Sequence, residues 1–243
     1  MYTYKTKVRY SEITSTRTVR PEAIVNYLQD CVMFQTNAVG GGVDYYKREQ
    51  KVWVLNSWQI EIKRQLVEDE EITVCTWPYD FAGAYGHRNF VVKDANGEDV
   101  IMANTLWVFT DMTTGRPVKV TEEVCNMYSL EEKLSMEYLD RKVKIADGVE
   151  GEAQSPMPVL KGYIDTNSHV NNGKYIGCAS EYIPEGYMVE RIRAEYKRAA
   201  VYGDTFYPVV YRQEESDGKM HIWVSLNDAE GKVYATVQFD IYM

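Results

Sequence analysis

The fold is decided by an eight-residue stretch that occurs in the chain in two related versions. The first, IEIKRQLV, occupies residues 60–67, and the second, AEYKRAAV, occupies residues 194–201. Their glutamates are separated by 134 positions (195 − 61 = 134), and the turn sequences DANG (94–97) and DAEG (228–231) repeat at the same offset. Two separate matches at one offset indicate that a single structural unit is encoded twice.

Both halves show the same order of predicted elements. In the first half, Pro21 is typical of a helix start and the glycines at 40–42 of its end, which predicts a helix over 21–37. Alternating apolar residues and turn signals predict the strands. These strands cover 52–63, 71–77, 86–93 and 100–111 in the first half, and 159–164, 189–198, 205–214, 220–227 and 233–242 in the second. A helix is predicted over 171–182, and between the halves a helix over 121–133 and a loop over 148–158.

One helix followed by a run of antiparallel strands, used twice, predicts an α+β fold of two tandem hotdog units. In each unit a long helix is wrapped by an antiparallel sheet, and the two sheets pair edge to edge into one continuous sheet. This pairing covers strand edges that would otherwise be exposed. The predicted division is an N-terminal unit over 1–120, a linker with a helix over 121–158 and a C-terminal unit over 159–243.

Composition excludes several classes of function. The chain has 243 residues, 45% hydrophobic and 26% charged, which is typical of a globular protein. A net charge of −9 argues against nucleic acid as the main partner. No apolar run is long enough to span a bilayer, and no targeting segment is recognised. The four cysteines lack metal-like spacing, so we expect a cytoplasmic protein without metal or organic cofactor.

The sequence DTNSHVNNGKY (165–175) carries the chemistry. Asp165, Asn167 and His169 occupy alternate positions, and in an extended segment alternate side chains point the same way. A carboxylate, an amide and an imidazole would then converge on one small volume. This set is suited to general-base or nucleophilic attack on an acyl group. The helix that follows, capped by Asn171 and Asn172, would direct free N–H groups near 171–173 at a developing oxyanion.

The two halves differ at this position. The corresponding stretch of the first half, TSTRTV (14–19), contains no Asp, Asn or His. The sequence therefore predicts chemistry in the second half only, with the first half shaping a pocket. The candidate pocket walls are Met33, Phe34, Trp53 and Trp58.

The pattern of residues 165–175, followed by EYKR (195–198), resembles the acyl–acyl-carrier-protein (acyl-ACP) thioesterases of bacteria and plant plastids. WVF (107–109) and TGRPV (114–118) resemble the end of that family's first half. The resemblance implies hydrolysis of a fatty acyl thioester by Asp165, Asn167 and His169, with support from Glu195. Some members carry a cysteine shortly after the EYKR-like segment, where this chain has alanines at 199 and 200.

Several alternatives stay open at the level of sequence. Asp165 either activates water or attacks the carbonyl to give a mixed anhydride. An acyl-coenzyme A thioesterase of the same fold and a non-hydrolytic acyl-binding module are the competing functions. Acyl carrier protein, with its acyl-phosphopantetheine, is the expected partner, and the chain is expected to be a monomer or a homodimer. The candidate docking residues for this acidic partner are Lys174, Arg191, Arg193, Lys197 and Arg198.

Overall fold

The first half of the chain contains one long helix and five strands. The structure is a computed structural model that describes residues 1–215 and 218–243. The helices of this half are α1 (Pro21–Ala38), α2 (Val43–Arg48) and α3 (Glu122–Met127). The strands are β1 (Tyr2–Lys7), β2 (Lys51–Ile62), β3 (Glu71–Ala82), β4 (Tyr85–Lys93) and β5 (Asp99–Asp111).

The second half repeats this plan with a shorter helix, α4 (Asn172–Ser180). Its strands are β6 (Gly151–Ala153), β7 (Met157–Pro158), β8 (Met188–Tyr196), β9 (Thr205–Glu214), β10 (Lys219–Asn227) and β11 (Val233–Tyr242). A single 3-10 turn precedes the main helix of each half, at Tyr10–Glu12 and at Lys161–Tyr163. No helix in the described part of the chain is long and apolar enough to cross a membrane.

The eleven strands found in residues 1–215 and 218–243 all belong to one antiparallel sheet. Its order is β1-β3-β4-β5-β2-β8-β11-β10-β9-β6, with β7 also paired to β9. The strands of the first half lie on one side of the β2–β8 junction, and those of the second half follow in the mirrored order on the other. The predicted continuous sheet made from two edge-to-edge units is confirmed.

The junction between the halves has the symmetry that the repeat predicts. Five residue pairs join β2 to β8, from Ser57 opposite Glu195 to Glu61 opposite Arg191. The sequence offset of 134 relates Ser57 to Arg191 and Glu61 to Glu195, so it exchanges the two ends of this ladder. Gln59 and Arg193, which pair at its centre, are related to each other by the same offset. The junction therefore lies on a pseudo-twofold axis.

Helices α1 and α4 pack against each other on one face of the sheet. Asn172 donates to Gln29, and Gly177 contacts Glu22. The second contact lies five residues later in α4 but seven residues earlier in α1, so the two helices run antiparallel. Gly177 leaves room at this contact for the Glu22 carboxylate, which an added Cβ would displace. The apolar stripe of α1 faces the sheet, with Leu28 and Cys31 fully buried.

The segment between the halves covers part of the opposite face of the sheet. Gln59 donates to the Glu137 carbonyl (2.9 Å) and accepts from the Leu139 N–H (3.0 Å). Arg193 donates to the carbonyls of Asp140 (2.6 Å) and Lys142 (3.0 Å). The two symmetry-related central residues of the junction thus hold the linker in place.

Three local predictions are corrected. The helix predicted over 121–133 ends at Met127, and the loop predicted over 148–158 contains β6 and β7. The strand predicted over 159–164 is replaced by the 3-10 turn at Lys161–Tyr163. The physical reason is that the chain reverses directly after Ile164, which pairs only in an isolated bridge with Val170.

A titratable network lies on the same face as the linker. His221 contacts Asp240 through Nδ1 (2.7 Å) and Glu215 through Nε2 (2.8 Å), and Arg191 donates to the other oxygen of Asp240 (3.2 Å). Burial lowers the pKa of His221, but its hydrogen bonds to the two carboxylates outweigh this and raise the pKa above its usual 6.5. The protonated imidazole therefore stabilises the folded state.

Replacing Gln59 by leucine should release the linker. The substitution leaves the Leu139 N–H and the Glu137 carbonyl without partners, which we expect to lower the free energy of unfolding by about 1–3 kcal/mol. Urea denaturation measures this change, and limited proteolysis should show faster cleavage near 134–143. Gln213→Leu, at an exposed position of β9, is the matched control. Equal losses in the two variants would contradict the assigned role of Gln59.

The His221 network predicts a pH-dependent stability. Because the folded pKa is raised, the stabilisation is complete below the usual value of 6.5 and is lost as the pH rises through the folded value. The free energy of unfolding of the wild type should therefore fall with rising pH in this window, and His221→Gln should reduce the slope. Chemical denaturation over a pH series measures it. An unchanged slope in the variant would assign the dependence to other groups.

Candidate active site

The loop after Ile164 is a closed turn rather than an extended segment. The Asp165 N–H donates to the His169 carbonyl (2.8 Å), and the Ser168 N–H donates to the Asp165 carbonyl (3.0 Å). The Asp165 carboxylate accepts from the Asn167 N–H (2.8 Å), and Ser168 has a φ of 64°. The prediction that alternate residues share one face of a strand is wrong, because these hydrogen bonds fold the five residues into a compact loop.

The three candidate catalytic residues lie in this one loop with different exposures. Asp165 is half-buried, whereas Asn167 and His169 are exposed. Asn167 contributes to the lining of a largely apolar cavity whose other lining residues belong to the first half of the chain. The loop thus brings polar groups of the second unit to a cavity of the first.

The first unit contains the same loop without the same chemistry. The Thr14 N–H donates to the Thr18 carbonyl (2.8 Å), the Arg17 N–H donates to the Thr14 carbonyl (3.0 Å), and Arg17 has a φ of 64°. Thr14, Thr16 and Thr18 occupy the places of Asp165, Asn167 and His169, and their hydroxyls hydrogen-bond to one another. The correspondence predicted from sequence is confirmed for the backbone of the loop.

The start of α4 uses most of its N–H groups internally. Asn171 caps the helix by accepting from the Gly173 N–H (2.9 Å), its own N–H donates to the Tyr163 carbonyl (2.8 Å), and the Lys174 N–H donates to the Asn171 carbonyl (2.9 Å). The capping role of Asn171 is confirmed. The predicted set of free N–H groups near 171–173 is corrected, since those of Asn171 and Gly173 are already engaged.

The cavity encloses about 130 Å³ between α1, α2 and the first half of the sheet. Its walls include Met33 and Trp53, as predicted, together with Tyr46, Phe81 and Tyr128. The other two predicted wall residues lie elsewhere. Phe34 packs edge-on against Tyr4 with ring centroids 5.1 Å apart, and Trp58 is buried against Phe90 in the core.

Glu195 is separated from the loop by the sheet. In β8, Ala194 and Tyr196 face the helices, since Ala194 belongs to the core and the Tyr196 hydroxyl donates to the Asn172 carbonyl (2.9 Å). Glu195 points to the opposite face, where it accepts from the Val143 N–H of the linker (3.2 Å). The structure therefore does not bring Glu195 together with the other three candidate residues.

The five candidate docking cations all have partners within the chain. Arg191 pairs with Glu61 and Asp240, and Arg193 is half-buried beneath the linker. The remaining three form the pairs Lys174–Glu22 (2.7 Å), Lys197–Glu195 (3.6 Å) and Arg198–Asp228 (2.6 Å). The structural roles of Arg191 and Arg193 remove them from the exposed surface that a partner would contact.

In the part of the chain that the structure describes, no cysteine lines the cavity. Of the alanines at 199 and 200, where some members of the resembled family carry the cysteine, Ala200 is fully buried, and its N–H donates to the Tyr175 hydroxyl (2.8 Å). Burial raises the pKa of the Cys178 thiol to about 11, which keeps it protonated at neutral pH. Among the described residues, no group of three or more His, Cys, Asp or Glu is arranged to hold a metal ion.

Sequence reasoning missed the cation inside the cavity, Arg88 on β4. The alternation of β4 could have indicated this position, because Gly86, Arg88 and Phe90 share the face directed at the helices. An arginine at a core-facing position is unusual, because charged side chains are rarely fully buried unless they are paired.

Two family models match the chain, one in each half. Residues 1–128 match the family model of the acyl-ACP thioesterase N-terminal domain, and residues 147–241 match that of the C-terminal domain. An oleoyl-acyl carrier protein thioesterase of Arabidopsis thaliana is 30% identical over 199 residues, which cover 76% of this chain and 55% of the relative. A palmitoyl-acyl carrier protein thioesterase of the same plant is 27% identical over 206 residues, which cover 79% and 50%. The chain thus spans about half the length of the curated relatives it matches.

Solved structures show the same fold. An acyl-ACP thioesterase from Bacteroides thetaiotaomicron superimposes with a TM-score of 0.84 at 20% identity, covering 98% of this chain and 96% of that one. A 12:0-ACP thioesterase from Umbellularia californica gives 0.86 at 17% identity, covering 99% and 93%. The tandem hotdog fold is confirmed by these likenesses. The N-terminal family model matches more than half of the residues of the chain. The chain therefore belongs to the acyl-ACP thioesterase family.

Proposed function

We propose that the chain hydrolyses the thioester of a fatty acyl-acyl carrier protein and releases the free fatty acid. The observation that carries the proposal is the meeting of the Asp165–His169 loop with the apolar cavity at Asn167. An acyl chain in the cavity would place its thioester carbonyl at the rim, beside the polar loop. Family membership supports the same reaction.

The loop supplies the parts that this reaction needs. Asp165 activates a water molecule, or attacks the carbonyl itself to give an anhydride that water then cleaves. In either route a C–O bond forms, the C–S bond breaks, and the departing sulfur takes up a proton. Asn167 holds the carbonyl or the water, and His169 donates a hydrogen bond to the developing oxyanion or thiolate. Glu195 has no part in this scheme because it faces the other side of the sheet.

The proposed partner is an acidic carrier protein that presents its acyl-phosphopantetheine at the cavity. Lys174, which is half-buried next to the loop in α4, is our first candidate for the docking cation, and the exposed Lys197 and Arg198 are further candidates. We place the protein in the cytoplasm, supported by four cysteines that are all free. Monomer or homodimer stays a prediction.

Asp165→Asn tests the reaction and the site together. The asparagine oxygen can still accept the Asn167 N–H, so the loop should keep its shape while the carboxylate is lost. We expect kcat for palmitoyl-carrier protein to fall by about 10²–10⁴-fold, the usual contribution of a general base. Thiol release measures it, with palmitoyl-coenzyme A assayed in parallel.

The mirrored loop supplies the matched control. Thr14→Ala changes the equivalent position of the first unit and should leave kcat unchanged. Activity on coenzyme A esters alone would move the protein to the acyl-coenzyme A thioesterases, and binding without turnover of either ester would favour an acyl-binding module. Turnover that survives in Asp165→Asn would remove Asp165 from the mechanism.

Charge reversal at Lys174 tests carrier docking. Lys174→Glu should raise KM for acyl-carrier protein by about 10-fold, because the new carboxylate would repel the acidic carrier. The KM for a small acyl thioester should stay unchanged. Lys7→Glu, which makes the same change of net charge on edge strand β1, is the control. A similar rise in KM for both substrates would show that Lys174 acts on the site rather than on the carrier.

A further inference from the structure

The cavity contains a buried guanidinium with an unusual environment. Arg88 is only 6% exposed and is held between α1 and β3. Its Nη1 donates to the Gln35 side chain and to the Thr76 hydroxyl (3.1 Å), and its guanidinium carbon lies 5.6 Å from the centre of the Tyr128 ring. These contacts fix the side chain in one orientation within the cavity wall.

Arg88 has no counter-ion among residues 1–215 and 218–243. The groups that it contacts are neutral, and both of its side-chain hydrogen bonds leave from Nη1, so Nε and Nη2 have no acceptor among the residues that the structure describes. Burial lowers the pKa of Arg88 to about 10, which still leaves it charged at neutral pH. An unpaired buried charge costs free energy that an incoming anion or polar oxygen would recover.

The other charged groups of the cavity have the same sign. Lys47 and Lys51 contribute to the lining, Lys51 being already paired with Asp111 (2.5 Å), and among the described lining residues there is no Asp or Glu. This is notable in a chain with a net charge of −9. The remaining wall is largely aromatic and apolar, so the cavity combines hydrocarbon contact with a positive group set into its wall.

We propose that Arg88 binds an oxygen function carried by the acyl chain, so that the preferred substrates are oxygenated acyl thioesters rather than plain hydrocarbon ones. The inference rests on the proposed function, whose thioester end lies at Asn167. The free Nε and Nη2 form a planar pair of donors, which suits two oxygens of a carboxylate best and one hydroxyl or oxo oxygen less well. A carboxylate also supplies the missing negative charge. A methyl or methylene group at this place would desolvate Arg88 without any compensating interaction.

Binding of non-hydrolysable ligands tests the inference on the wild-type protein. The probes are pantetheine amides, in which NH replaces the thioester sulfur, with plain, ω-hydroxy or ω-carboxy acyl chains at each even length from hexanoyl to dodecanoyl. At the best-fitting length, calorimetry should show the ω-carboxy chain binding about 10–100-fold more tightly than the plain chain, with the ω-hydroxy chain between them. Tightest binding of the plain chain at every length would overturn the inference.

The Arg88→Met variant tests the same preference through a change of similar volume. The ratio of kcat/KM for ω-carboxyacyl to plain acyl pantetheine thioesters should fall by about 10–100-fold. Arg64→Met, which removes an exposed arginine paired with Glu70, is the control and should keep the ratio. Equal losses on both substrates would make Arg88 a structural residue. If the variant does not fold, the wild-type binding series decides alone.

The two proposals fail in different ways. Absence of thioester hydrolysis together with a retained preference for oxygenated amides would overturn the proposed function and support the role of Arg88. Hydrolysis with no preference between plain and oxygenated chains would support the proposed function and overturn the role of Arg88.

Discussion

The structure depends on the antiparallel pairing of β2 with β8. This ladder turns two sheets, each with an exposed edge, into one sheet in which both central strands have a neighbour on each side. It also fixes the position of the two units relative to each other. A shift of one strand by one residue would turn the core-facing side chains of that strand to the opposite face. Trp58 and Ala194 pair within it and both face the helices, which anchors the register in the core.

The same symmetry explains where the site lies. Because α1 and α4 are antiparallel, the start of α4 lies beside the middle of α1, at Asn26 and Gln29, and the first α1 residue that lines the cavity, Val32, follows within one turn. A loop from one unit therefore meets a cavity of the other. Fusing the units into one chain allows the equivalent loops to diverge, and the threonines at 14, 16 and 18 keep the turn without the carboxylate, amide and imidazole.

Sequence predicted most of the fold because its signals are periodic. The offset of 134 between the two halves also relates the residues that pair between β2 and β8. The predicted α1 differs from the observed helix by one residue. The closed shape of the 165–170 loop was not predictable from alternation, since it depends on hydrogen bonds between backbone groups and on a positive φ at Ser168. Strand alternation places Glu195 on the face opposite to Ala194 and Tyr196. Which of the two faces meets the helices became known only from the structure.

The two faces of the sheet carry different kinds of polar residue, and this separates reactive from structural groups. On the face away from the helices, Gln59, Arg193 and Glu195 all bind the backbone of the linker. These three side chains find their hydrogen-bond partners within the chain and attach the linker to the sheet. On the helix face, Arg88 retains donors without a recorded partner in the described chain and lies in the same cavity as Asn167. Since a charge without a counter-ion in an apolar wall is costly, the helix face is where a ligand would supply the partner that Arg88 lacks.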